Sequence, residues 1–146
     1  MENIMVLLFL SIGAIWDLRK KSVPKGYLLI WGFVTFGYLI ASSVREMSVE
    51  IWINAVWGLI PGLVCLFLAY VSREQIGFGD GWIIMLLGII LGLKTVLAVL
   101  FMALSVLTMI AIALLILKKV TRKTTLPFIP FLFIGFILTL IIRRFL

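Results

Sequence analysis

"GWIIMLLGIILGLKTVLAVLFMALSVLTMIAIALLIL", residues 81 to 117, carries a single charge, Lys94, in 37 residues. Run as one straight helix it would measure about 55 Å at ~1.5 Å per residue, nearly twice the ~30 Å hydrocarbon core of a bilayer. The stretch therefore has to turn, and Gly92-Leu93-Lys94 supplies a glycine and the lone charge where a turn would fall. Two helices are predicted from it, 81–92 and 94–117. The first has about twelve residues and rises only ~18 Å, too little to cross the core alone. Its start, at Asp80, is expected to lie recessed below the water surface.

Outward from this stretch, the apolar segments 3–16, 27–44, 51–71 and 126–142 complete six predicted transmembrane helices. The expected architecture is an all-α polytopic membrane helix bundle forming a single domain over residues 1–146. The composition, 64% apolar and 13% charged, fits no water-soluble core. Unpaired backbone groups cost several kcal/mol each in lipid, and the apolar runs do not alternate with polar residues, so helices are expected rather than a barrel. The first run, Ile4 to Trp16, lacks the basic start and small-residue cleavage site of a signal peptide and is read as a helix. No internal repeat, low-complexity tract or soluble domain interrupts the pattern.

Charge gives the orientation. If the connections 17–26, 72–80 and 118–125 share a side, that side carries Arg19, Lys20, Lys21, Lys25, Arg73, Lys118, Lys119, Arg122 and Lys123. The opposite side keeps Arg45, Lys94, Arg143 and Arg144. The positive-inside bias then makes the first side cytosolic, with both termini outside, in a cell (inner, cytoplasmic) membrane. It also accounts for the net charge of +7 without nucleic acid, for which no basic recognition face exists. With one cysteine, Cys65, and no histidine, neither a disulfide nor a cysteine-based metal site can be built within the chain. No metal and no cofactor is expected, and nothing in the sequence fixes an oligomeric state.

Of six acidic residues, Glu2, Glu46, Glu50 and Glu74 lie in the N-terminus or loops, whereas Asp17 and Asp80 each touch the end of an apolar helix. Two predicted spans separate these aspartates, and an even number of crossings returns the chain to the side it left. From the residues alone three readings remain open. Asp80 could cap a helix starting at Gly81 while Asp17 pairs with Arg19, Lys20 or Lys21, a role worth about 1 kcal/mol. The two acids could mark a proton or ion pathway of a small coupled transporter. Or, brought within ~3 Å, they could share one proton, one acting as base toward water and the other as acid toward a carbonyl, with no metal or nucleophilic side chain involved. Glycines 77, 79 and 81 would then let a substrate backbone approach in an unwound, water-lined segment.

Three segments carry a resemblance. "GFGD", residues 77–80, resembles the Gly-x-Gly-Asp motif of the type IV prepilin peptidase and preflagellin peptidase family of membrane aspartic proteases. "DLRKKSVP", residues 17–24, resembles that family's first aspartate motif, and "LPFIPFLFIG", residues 126–135, the start of its last helix. The resemblance implies an aspartic endopeptidase with Asp17 and Asp80 as the catalytic pair and Gly77 and Gly79 shaping the adjoining loop. It implies a prepilin-like membrane precursor as substrate, its short basic leader removed at the cytosolic face before a type IV pilus or related filament assembles. The chain departs from the pattern at Gly81, at Trp82, where many relatives have lysine, and at Lys25, where asparagine is frequent; these bear on substrate preference. The cytosolic segment with paired Cys-x-x-Cys motifs found in larger relatives is missing, so cleavage is expected and methylation of the product is not. The related presenilin-like pattern of Tyr-Asp and Pro-Ala-Leu does not occur.

Overall fold

A computed structural model describes residues 2–20, 23–72, 77–117 and 127–145. It contains five helices: α1 (Glu2–Lys20), α2 (Lys25–Glu46), α3 (Val49–Val71), α4 (Phe78–Ile116) and α5 (Ile129–Phe145). No other regular element occurs among the described residues. The connections 73–76 and 118–126, on which part of the charge count for orientation falls, lie outside them.

The expectation of six separate spans is corrected to five helices. α4 joins two helical halves across a kink, where Gly92 alone leaves helical geometry (φ 73°, ψ 168°) before helix resumes at Leu93. A positive φ of this kind is open to glycine at little cost and strained for other residues. The turn falls where length and composition placed it. Among the described residues, three helices are long and apolar enough to cross a membrane: Lys25–Arg45, Val49–Val71 and Phe78–Ile116. α1 bears Glu2, Asp17, Arg19 and Lys20 within its 19 residues. α5, with 17 residues, ends on Arg143 and Arg144. The molecule is an all-α membrane helix bundle.

Two ends of the bundle can be told apart. At one end the start of α1 (Glu2), the end of α2 (Tyr38, Ser42), the start of α3 (Ile51, Asn54) and the α4 bend line one cavity of about 570 Å3. There the Tyr38 hydroxyl donates to Glu2 Oε1 at 2.5 Å. At the other end the last turns of α1 meet the first residues of α5, and the segment before α2 meets the first turn of α4.

The core joins α1, both halves of α4, and α5. Val6, Phe9 and Leu10 of α1, Ile83, Ile84 and Leu87 of the first half of α4, Val96 and Val99 of its second half, and Leu132 and Phe136 of α5 are all buried in one cluster. Apolar surface alone does not drive helices together in lipid; small residues that let backbones approach do. α3 and the first half of α4 cross in that way. A Cβ added at Gly58 would stand 1.9 Å from the Gly88 carbonyl oxygen, and one at Gly88 would stand 1.8 Å from that of Gly58. Gly62 likewise faces the Met85 backbone. α3 continues as helix through Pro61, which is buried on the same face. Gly88 and Gly92, four apart in sequence, therefore serve different ends: the first packs within the chain, the second bends it.

α1 is fixed to α2 by aromatic packing. The Phe9 ring lies 4.9 Å from Trp31 and 5.5 Å from Tyr27, centroid to centroid. The Tyr27 hydroxyl donates to the Phe9 backbone carbonyl.

Candidate active site

Asp17 sits on the last turn of α1 and is 6% exposed, the one buried acidic residue among those described. Its Oδ2 accepts a hydrogen bond from the backbone N–H of Ile129 at 3.1 Å. Ile129 opens α5, where the first N–H groups of a helix have no partner inside it. Asp17 thus caps α5 from another helix, and the positive end of the α5 dipole faces its carboxylate. The next turn of α5 closes locally, with Phe131 N–H and Leu132 N–H both donating to the Phe128 carbonyl. The third resembling segment therefore supplies a backbone donor to the first aspartate.

Asp80 lies in the first turn of α4. Sequence reasoning started this helix at Gly81 and left GFGD unwound; instead helix begins at Phe78, with Gly77 as its N-cap residue. The Asp80 N–H donates to the Gly77 carbonyl at 3.1 Å. Asp80 is therefore inside the helix and does not cap it. Phe78 and Gly79 are weak helix formers, which hid the true start, and the turn forms because Gly77, with φ −64° and ψ 125°, takes the extended geometry an N-cap needs.

The fold sets the two aspartates at the same end of the bundle. Asp17 is near enough for its charge to act on the Asp80 carboxyl. Cys65 of α3 lies within electrostatic reach of Asp80. The two glycines of the motif have steric roles that can be named. A Cβ at Gly77 would come within 3.2 Å of Asp80 Oδ2 and crowd that carboxylate. A Cβ at Gly79 would press on Val23 Cγ2 at 3.2 Å. Val23 belongs to the first motif and Gly79 to the second, so this contact seats one motif against the other.

A groove of about 820 Å3 opens beside this segment, between α2 and the first half of α4. Gly79 and Val23 line it, as do Lys25 and Trp82, two of the positions that depart from the motif pattern. No group of three or more histidine, cysteine or acidic side chains able to hold a metal occurs among the described residues. The donor set at the site is two carboxylates and backbone amides, which suits proton transfer.

Sequence reasoning missed Ile129 and Tyr27. Ile129 acts through its main chain, which every residue but proline possesses, so no residue type announces it. Tyr27 did carry a signal, a phenol near the start of an apolar helix, where a buried hydroxyl needs a partner.

Comparison with known proteins gives one match. A family profile described as the type IV leader peptidase family covers residues 4–143. No curated protein and no solved structure matches the chain.

Proposed function

The chain belongs to the type IV leader peptidase family, and from that premise we propose that it is an aspartic endopeptidase that removes the short basic leader of a prepilin-like precursor. The observation that carries the reading is the meeting of Asp17 and Asp80 at one end of the bundle, close enough for the charge of one to act on the other. A negative charge on one carboxyl disfavours a second on the other, so the pair favours holding one proton in all. Asp17, which accepts from the Ile129 N–H at the positive end of α5, is the better place for the negative charge and is assigned as the base. Asp80 is assigned the proton.

In the reaction Asp17 takes a proton from a water molecule as the water oxygen attacks the carbonyl carbon of the bond to be cut. Asp80 gives its proton to the carbonyl oxygen, producing a tetrahedral diol. Collapse of the diol breaks the C–N bond as Asp17 passes its proton to the departing amine nitrogen and Asp80 takes one from a diol hydroxyl, which restores the starting state of the pair. Gly77 keeps the space beside Asp80 Oδ2 clear. The excess of basic residues in the connections at this end supports a cytosolic position for the site.

Asp17→Asn and Asp80→Asn, each assayed in membranes against a prepilin-like precursor, are expected to lose cleavage by between about a hundredfold and ten-thousandfold. Normal processing by either folded variant would end the reading. The rate should follow a bell in pH, lost on the acid side when the pair holds two protons and on the alkaline side when it holds none, with both limbs belonging to the pair. A profile that rises and never falls would count against a shared proton.

A further inference from the structure

The groove between α2 and the first half of α4 begins at Phe78 and Gly79, beside Asp80, and extends along both helices to Phe36 and Leu86. On α2 its wall is Leu29, Gly32, Phe33 and Phe36, a single helical face about two turns long. On α4 it is Gly79, Trp82 and Leu86, again two turns, starting at the neighbour of Asp80. Only Lys25, at the mouth, is charged.

We propose that this groove seats the apolar helix of the substrate, so that the peptide bond just N-terminal to that helix arrives at Asp17 and Asp80. The assignment rests on the peptidase reading above. Three features favour a rigid apolar helix over lipid tails. First, the groove is lined along both helices by apolar side chains and has its wall at Gly79, one residue from the Asp80 carboxyl, as a cleavage site followed by an apolar helix requires. Second, Gly32 is half-buried yet has no atom within 4 Å of where its Cβ would stand, while Phe33 beside it is 77% exposed. Where Gly58 and Gly88 meet, the same chain uses glycines to bring helix axes close. Gly32 offers that crossing geometry with no helix of this chain against it, and flexible acyl chains have no need of a glycine at a crossing point. Third, the α4 wall is locked from behind by the backbone contact with α3, so the groove is a fixed shape that an apolar helix can enter side by side.

The open space at Gly32 supplies the test, because a larger side chain there fills the groove without striking the protein. Gly37, on the same helix, exposed and equally open, is outside the groove and serves as the matched control. Gly32→Leu and Gly37→Leu are compared in membranes with a prepilin-like precursor. Gly32→Leu should lower kcat/KM at least about tenfold, mainly through KM, with no loss of thermal stability, and Gly37→Leu should stay within about twofold of the parent. Equal processing by the two variants overturns the assignment. Independently, photoreactive benzoylphenylalanine in place of Phe33 should form an adduct with the apolar segment of the precursor. An adduct only with lipid or with a second copy of the chain, while the precursor is still cut, overturns it too. Failure of the parent protein to cut the precursor removes the peptidase reading itself, whereas cutting that Gly32→Leu leaves unimpaired removes the docking assignment alone.

Discussion

The first half of α4 has two flanks built on opposite plans. Toward α3 it is closed to the backbone: Gly58 meets Gly88, Gly62 meets Met85, and a Cβ at Gly81 would stand 2.7 Å from Leu66. Toward α2 the packing leaves a groove of about 820 Å3 beside the helix. Both flanks are apolar, and both contain glycine. What separates them is whether the glycine has a neighbour's main chain against it. In a membrane, where apolar area does not itself hold helices together, that contact is what makes one flank structural and leaves the other available.

The largest effect is expected where the closed flank is forced apart. Gly88→Leu puts a side chain where the Gly58 carbonyl already stands. Backbone cannot rotate away as a side chain can, so a loss of about 3 kcal/mol or more, or failure to fold, is expected. Thermal unfolding in detergent measures it, and a variant as stable as the parent would erase the distinction between the flanks. Next comes the bend that ends this half of the helix. Gly92→Ala meets no atom but must hold φ near 73°, so about 1–2 kcal/mol should be lost through strain alone. Gly92→Asn, which tolerates that conformation better, should lose less; the reverse order would deny that φ is the cause.

Smaller again is Tyr27→Phe, which removes the hydroxyl that ties α2 to the Phe9 carbonyl but keeps the ring stacked on Phe9. About 1 kcal/mol is expected from one lost hydrogen bond, read as a lower unfolding temperature. A larger loss would mean that the α1–α2 contact also holds the open flank in shape. Last, Gly37→Ala lies in open space and should raise stability slightly, by up to about 1 kcal/mol, as the helix gains propensity.

Much of this arrangement could be read from residues. The turn at Gly92 follows from arithmetic on length, and the shared end of Asp17 and Asp80 follows from the parity of the crossings between them. Both depend on properties summed along the chain, which sequence displays directly. The pairing of Gly58 with Gly88 could not be read, since two glycines thirty residues apart carry no mark of each other. Nor could the helical start at Phe78, because Gly77, Phe78 and Gly79 are poor helix formers whose turn is stabilised by what packs on it. Counting apolar runs also overstated the number of spans, since among the described residues only three helices are long and apolar enough to cross a membrane.

The hydrogen bond from the Ile129 amide to Asp17 has a consequence for how this chain can vary. An alanine scan would pass over it in silence, because alanine has the same N–H. Nineteen of the twenty amino acids could occupy position 129 without deleting that donor; proline alone would remove it. The contact should leave its trace in evolution and in mutagenesis as an intolerance of one imino acid, at a position where side-chain size and polarity otherwise answer only to packing.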